Sequence, residues 1–137
     1  MNVEQKIKRH ILINALTECM ESDPGLDLET ADGIDCAWMQ AGDYEGIFSD
    51  IEIIDEEEEF RCSGQSTNLT CNGYSRHYES DQVAIKLDDG TYVSWIYWTG
   101  GGKHGEPSAI DWMSEAFEVD CLEELKMVTV YTFSVKE

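Results

Sequence analysis

The sequence predicts an α+β domain with an N-terminal helix, a mostly antiparallel sheet containing a hairpin, and a second helix before the last strand. Apolar residues recur every four positions over residues 2–21, which predicts the first helix. The β-rich runs 82–87 and 91–98 flank Asp88-Asp89-Gly90, a composition typical of a hairpin turn. Residues 126–135 have high β propensity and predict the last strand.

Shorter signals place the remaining elements. Asp23-Pro24-Gly25 ends the first helix, and residues 26–45 fit either a short helix or a strand. The β-branched residues of 47–54 predict a strand, whose partner begins in 60–63, and residues 64–73 predict a loop. Pro107 predicts the start of the second helix, which runs to about Phe117. Since there is no repeat or linker, residues 1–137 are expected to form one domain.

The net charge of −20 restricts the classes of partner. Phosphates repel carboxylates, so direct binding of nucleic acid is not expected, and neither is binding to an anionic membrane surface. No apolar run approaches the length of about 20 residues that spans a bilayer. The start of the chain also lacks the pattern of a secretory signal, so a cytoplasmic location is expected.

The acidic residues are clustered along the chain. No Lys or Arg occurs from His10 to Phe60, and sixteen acidic residues lie there. Within this stretch, residues 55–59 are five consecutive acids. A run of this kind is most often a solvated turn, but the apolar residues on both sides suggest that it is held on a folded element. Carboxylates fixed on a rigid scaffold can imitate nucleic-acid phosphates and bind a basic groove. The predicted partner-binding residues are Asp43, Glu45, Asp50, Glu52, Asp55, Glu56, Glu57, Glu58 and Glu59.

Other residues permit other functions. Trp95-Ile96-Tyr97-Trp98 is either a strand buried on both faces or one that exposes aromatic side chains to a partner, and Trp112 is a second aromatic candidate. The loop Gly100–Gly105 precedes a predicted helix and could hold an anion near Lys103 and His104, but it matches no phosphate-binding motif. The basic cluster Lys6, Lys8, Arg9 and His10 is interpreted as a solvated helix face, with a second contact point on an acidic partner or a self-association patch as the alternatives.

The five cysteines are widely spaced and odd in number. They are expected to be reduced, buried thiols, although a zinc site from Cys62, Cys71 and His77 remains an alternative. A cysteine nucleophile paired with His77 or His104 would lack any recognised motif. We therefore expect that the protein is not an enzyme and needs no cofactor.

The protein resembles the inhibitor proteins of phages and plasmids, namely anti-CRISPR and DNA-mimic anti-restriction proteins, in its small size, its strong acidity and its lack of a catalytic motif. The stretch from Gly100 to Met113 also resembles the tails of small mobile-element reading frames. The resemblance implies an inhibitor that binds a basic, nucleic-acid-binding complex of a bacterial host, such as a CRISPR effector or a restriction enzyme. The alternatives are an interaction module that binds through its aromatic strand and a small enzyme that uses the Gly100–Gly105 loop.

Overall fold

The computed structural model describes residues 1–19, 27–41, 50–73, 75–101, 107 and 110–136. Three helices precede the sheet: α1 (Val3–Cys19), α2 (Ala31–Ala41) and α3 (Asp50–Cys62). The strands are β1 (Gln65–Ser66), β2 (Tyr78–Lys86), β3 (Tyr92–Gly100) and β4 (Phe117–Val119). They form one antiparallel sheet in the order β1-β2-β3-β4. The predicted α+β class, N-terminal helix and hairpin are confirmed.

Helix α1 begins at a reciprocal cap. The Asn2 side-chain oxygen accepts a hydrogen bond from the Gln5 backbone N–H at 2.8 Å, and the Gln5 side-chain oxygen accepts one from the Asn2 backbone N–H at 2.9 Å. These two bonds satisfy amides that have no partner within the helix. The helix then buries one apolar stripe, formed by Ile7, Ile11, Leu12 and Ala15.

Strands β2 and β3 pair along nine residues, with Val83 opposite Trp95. Trp95 is 1% exposed and packs against two further aromatic rings, Phe60 at 5.0 Å and Trp112 at 5.6 Å, which also contact each other at 6.0 Å between ring centroids. This aromatic group joins α1, α3 and the sheet in one core cluster. Since stacked aromatic side chains bury large areas, the cluster positions α3 firmly on the hairpin.

The predicted strand at 47–54 is wrong where the structure describes it, because residues 50–62 form α3. Residues 60–63 likewise end this helix and begin no partner strand, while residues 47–49 lie outside the described ranges. Ile53 and Phe60, seven residues and two helical turns apart, are both buried. The acidic run between them therefore lies on a helix.

The second predicted helix is not formed at its described residues 110–116, while Glu106, Ser108 and Ala109 lie outside the described ranges. The last predicted strand is not formed either. Residues 110–116 form bends and a turn that bury Trp112 and Met113, and strand β4 follows at once. Residues 126–135 are exposed and pair with no strand in the described part of the chain. The residues between 26 and 45 that the structure describes include helix α2. None of the described helices has the length and apolarity that a bilayer crossing requires.

Candidate protein-binding surfaces

Helix α3 distributes the acidic run around its axis. Successive residues rotate by about 100°, so five consecutive carboxylates cannot share one face. Asp55 and Glu59 are exposed, whereas Glu56 is only 9% exposed. Asp50 and Glu52 lie at the start of the same helix, but their side chains are outside the described part, as are Asp43 and Glu45 altogether. The structure therefore brings Asp55 and Glu59, four residues apart, to one side of α3.

Glu57 and Glu58 occupy different environments from their exposed neighbours. Burial raises the pKa of Glu57, and the adjacent Glu58 charge raises it further. Hydrogen bonding to Arg61 lowers the pKa of Glu58. The two carboxylate oxygens of Glu58 accept bonds from Arg61 at 2.9 and 2.6 Å. Glu58 is thus fixed to Arg61 although its side chain is 43% exposed, and the pairing reduces its contribution to the outward charge.

Arg61 is a structural residue that the sequence pattern did not identify. Its side chain is almost fully buried, donates to the Trp98 carbonyl at 2.8 Å and lies 4.9 Å from the Tyr97 ring centroid. The three-residue spacing from Glu58 was the available signal, since such pairs meet on a helix surface. Arg61 fixes the end of α3 to strand β3.

The basic cluster on α1 is paired with acidic residues of the same chain. Lys6 contacts Glu118 and also lies 3.6 Å from Asp89. Arg9 contacts Asp88, in the hairpin turn, and lies 3.3 Å from Glu29. Lys8 pairs with Glu4 at 3.5 Å. These contacts neutralise the cations locally and join α1 to the β2–β3 turn.

Exposed carboxylates that lie outside the described ion pairs occur on α2 and α3. The two helices share a small core cluster that includes Ala37 and Ile53. Apolar side chains are exposed on the same helices, with Met39 at 77% and Ile54 at 61% exposure. We call the four exposed carboxylates the acidic helix surface; they are Asp32, Asp35, Asp55 and Glu59.

The aromatic strand is buried on both faces. Trp95 faces the helices, and Trp98, on the opposite face, is 8% exposed. A Cβ added at Gly73 would lie 3.1 Å from the Trp98 ring, so the loop covers that face closely. Trp112 is 4% exposed. These three side chains belong to the core and present little surface to a partner.

The cysteine prediction needs correction, because Cys36, Cys62 and Cys121 are exposed. Cys62 lies 3.4 Å from a Glu58 oxygen and 3.6 Å from the Tyr97 hydroxyl. Cys71 is partly buried beside Ser80. Within the described ranges, no three His, Cys, Asp or Glu side chains are grouped as metal ligands would be. His104 and Gly102–Gly105 lie outside these ranges.

Comparison with protein-family models, with curated proteins and with solved structures finds no match to this chain.

Proposed function

We propose that this protein is a non-enzymatic inhibitor that docks its acidic helix surface on the basic, nucleic-acid-binding surface of a bacterial defence complex. The target would be of the CRISPR-effector or restriction-enzyme type, and docking would block access of DNA or RNA. The observation that supports this proposal is the way in which paired cations and exposed carboxylates are distributed over the described residues. Lys6, Lys8, Arg9 and Arg61 are all paired internally, while the acidic helix surface remains exposed.

The backbone of α3 supports the proposed mimicry. Asp55 and Glu59 are separated by four residues, or about 6 Å along the helix axis. A DNA duplex carries one negative charge per about 1.7 Å of its axis, so a basic surface that binds DNA is suited to closely spaced negative charges. Carboxylates on a packed helix also lose little freedom on binding, which favours association. The exposed side chains of Met39 and Ile54 would add contacts that salt does not screen.

Two variants test this proposal. The first combines Asp32→Asn, Asp35→Asn, Asp55→Asn and Glu59→Gln, which neutralises the acidic helix surface. The control combines Glu79→Gln, Asp81→Asn and Glu115→Gln, which removes three charges from exposed positions that belong neither to α2 nor to α3. Tagged wild-type protein would first capture its target from a lysate of bacteria with CRISPR and restriction systems, with mass spectrometry as the readout.

Affinity for the captured complex is then measured for all three proteins across salt concentrations. Exposed rim charges contribute about 0.5 kcal/mol each, so the first variant should bind about 30-fold more weakly and with a smaller salt dependence. The control should bind close to wild type. Equal weakening of both variants would contradict docking through α2 and α3. Capture of only partners without a nucleic-acid-binding surface would contradict the proposed target class.

A further inference from the structure

The last described segment of the chain, residues 124–136, exposes nearly all of its apolar surface. We call this extended segment the arm. Its large apolar side chains are between 74% and 106% exposed, so the arm packs little against the other described residues of its chain. Monomeric soluble proteins rarely expose apolar surface on this scale unless it binds something. The side chains concerned are Leu125, Met127, Val128, Val130, Tyr131, Phe133 and Val135.

The arm has the side-chain pattern of a strand with one strongly apolar face. Alternate residues of an extended chain share a face, so Met127, Tyr131 and Phe133 lie on the same side. The rings of Tyr131 and Phe133 are stacked at 6.3 Å, as expected for such neighbours. The opposite face carries Thr132 and Ser134 among its residues. The face containing Tyr131 is therefore the one that gains most from burial.

The sheet offers an open position next to β4. Strand β4 pairs with β3 only at Tyr92–Ser94, and no described strand covers its outer edge. Beside it, a groove of about 470 Å³ opens on the sheet face away from the helices, over Ala84 and Tyr92. Val119 and Leu122 form one wall of this groove. An unpaired edge next to a groove lined by both apolar and polar side chains is suited to accept an additional strand.

We propose that the occupant is a second copy of this chain. The β4–arm segments of two copies pair in antiparallel orientation, so that each arm lies along the β4 edge of the other copy. The face containing Tyr131 and Phe133 is then directed towards the partner's groove. The arrangement is two-fold symmetric and reciprocal, as closed dimers require.

Charge complementarity favours a second copy as the occupant. The arm carries two lysines and one acidic residue, Glu124, which lies 3.4 Å from Lys126, in a chain whose net charge is −20. Beside β4, Asp120 is exposed and lies outside the described ion pairs, while Glu118 is already paired with Lys6. Antiparallel pairing brings the basic arm of each copy to the acidic edge of the other. Opposite charges at these positions favour the correct partner and register.

The available area is also sufficient for a stable dimer. A buried Tyr or Phe removes about 150–250 Å² from solvent, so Tyr131 and Phe133 of two arms account for about 600–1,000 Å². The aliphatic side chains and the accepting groove add to this area. The total reaches the range of about 1,200–2,000 Å² that characterises stable interfaces.

Sedimentation velocity and light scattering of the full chain, over a wide range of protein concentration, test the dimer. The disruptive variant is Tyr131→Ser combined with Phe133→Ser. The matched control is Val128→Ser combined with Val130→Ser, which shortens two apolar side chains on the opposite face. Circular dichroism and thermal unfolding of each variant report on the fold, which neither variant should alter because the arm packs little against the other described residues of its chain.

We expect wild type and the control to dimerise, and the Tyr131/Phe133 variant to dissociate with a Kd at least about 30-fold higher, as for loss of an interface hot spot. A wild-type chain that is monomeric throughout would overturn the proposal. Equally weakened dimerisation of both variants would also overturn it, because the arm would then not bind through the face that contains Tyr131 and Phe133. The interface excludes the acidic helix surface, so this outcome and the test of target binding are independent.

Discussion

The guanidinium of Arg61 lies where the acidic helix meets the sheet. It donates to both carboxylate oxygens of Glu58 and to the Trp98 carbonyl, and it stacks on Tyr97. A buried carbonyl without a donor would cost about 1–3 kcal/mol, so the contact with β3 stabilises the fold. Charge-assisted, bidentate bonds of this kind are stronger than those between neutral groups. One carboxylate of the acidic run therefore has a structural role.

The first prediction concerns the pH dependence of stability in Glu58→Gln. Arg61 lowers the pKa of Glu58 in the folded protein, so its stabilising effect is fully present above the unfolded pKa of about 4.3. The effect is lost as pH falls through the lower, folded pKa. Urea unfolding should therefore show a stability difference between wild type and Glu58→Gln at neutral pH that shrinks under acidic conditions.

The adjacent substitution Glu59→Gln provides the control for this measurement. Glu59 is exposed and forms no ion pair among the described residues, so its replacement should change the free energy of unfolding little. The Glu58 charge contributes to the raised pKa of Glu57, so Glu58→Gln also relieves Glu57, and the measured difference at neutral pH is the net of both effects. A Glu58→Gln difference that stays constant with pH would contradict a stabilising, ionised Glu58.

At the level of elements, the β2–β3 turn shows how local chemistry determines a connection. The Leu87 carbonyl accepts from the Gly90 N–H at 3.1 Å, and the Asp89 carboxylate accepts from the Thr91 N–H at 2.9 Å. Gly90 has a φ of 88°, which residues with a Cβ rarely adopt. This three-residue loop with a left-handed glycine is a common hairpin connection.

The second prediction is that Gly90→Ala lowers the free energy of unfolding by about 1 kcal/mol. No atom lies within 4 Å of the position that a Cβ would occupy, so the cost arises from backbone strain and not from a clash. Gly90→Asn should cost less, because Asn tolerates positive φ better than Ala does. Chemical denaturation of the three proteins measures both effects. Equal stability of wild type and Gly90→Ala would contradict the strained conformation.

Sequence patterns predicted the elements whose signals are local. The four-residue apolar spacing of α1 and the turn chemistry at Gly90 were sufficient, because both depend on neighbouring residues. Helix α3 was predicted as a strand because its isoleucines favour strands when considered alone. Burial of Ile53 and Phe60 at helical spacing outweighs that preference. The same helix separates the predicted partner-binding residues 55–59, since it turns Glu56 inward and leaves Asp55 and Glu59 exposed.

The end of the chain illustrates a second limit of sequence patterns. Met127 to Phe133 has strand composition, as predicted, but a strand needs a partner to which its backbone can bond. Within the described residues no such partner is present, and the apolar side chains remain exposed. A strand pattern indicates that a segment favours the extended conformation. It does not indicate which chain provides the neighbouring strand. The proposed dimer provides that neighbour.

At the scale of the whole molecule, the charge of −20 opposes the compact state. Carboxylates on neighbouring surfaces repel one another, and folding brings them closer together. The ion pairs of α1 offset part of this repulsion, since Lys6 and Arg9 each contact two acidic residues. Carboxylates nevertheless outnumber cations, because the chain has 29 acidic residues and only nine Lys and Arg.

The third prediction is that sodium chloride raises the melting temperature of this protein. Salt screens exposed charges over a Debye length of about 10 Å at 0.1 M, so it weakens the summed repulsion more than it weakens the partly buried Glu58–Arg61 pair. The variant Asp55→Asn with Glu59→Gln should gain less from the same salt, because two repelling charges are already absent. Scanning calorimetry at equal protein concentration measures both gains. A melting temperature that falls with salt in wild type would mean that attractive ion pairs outweigh the repulsion among the carboxylates.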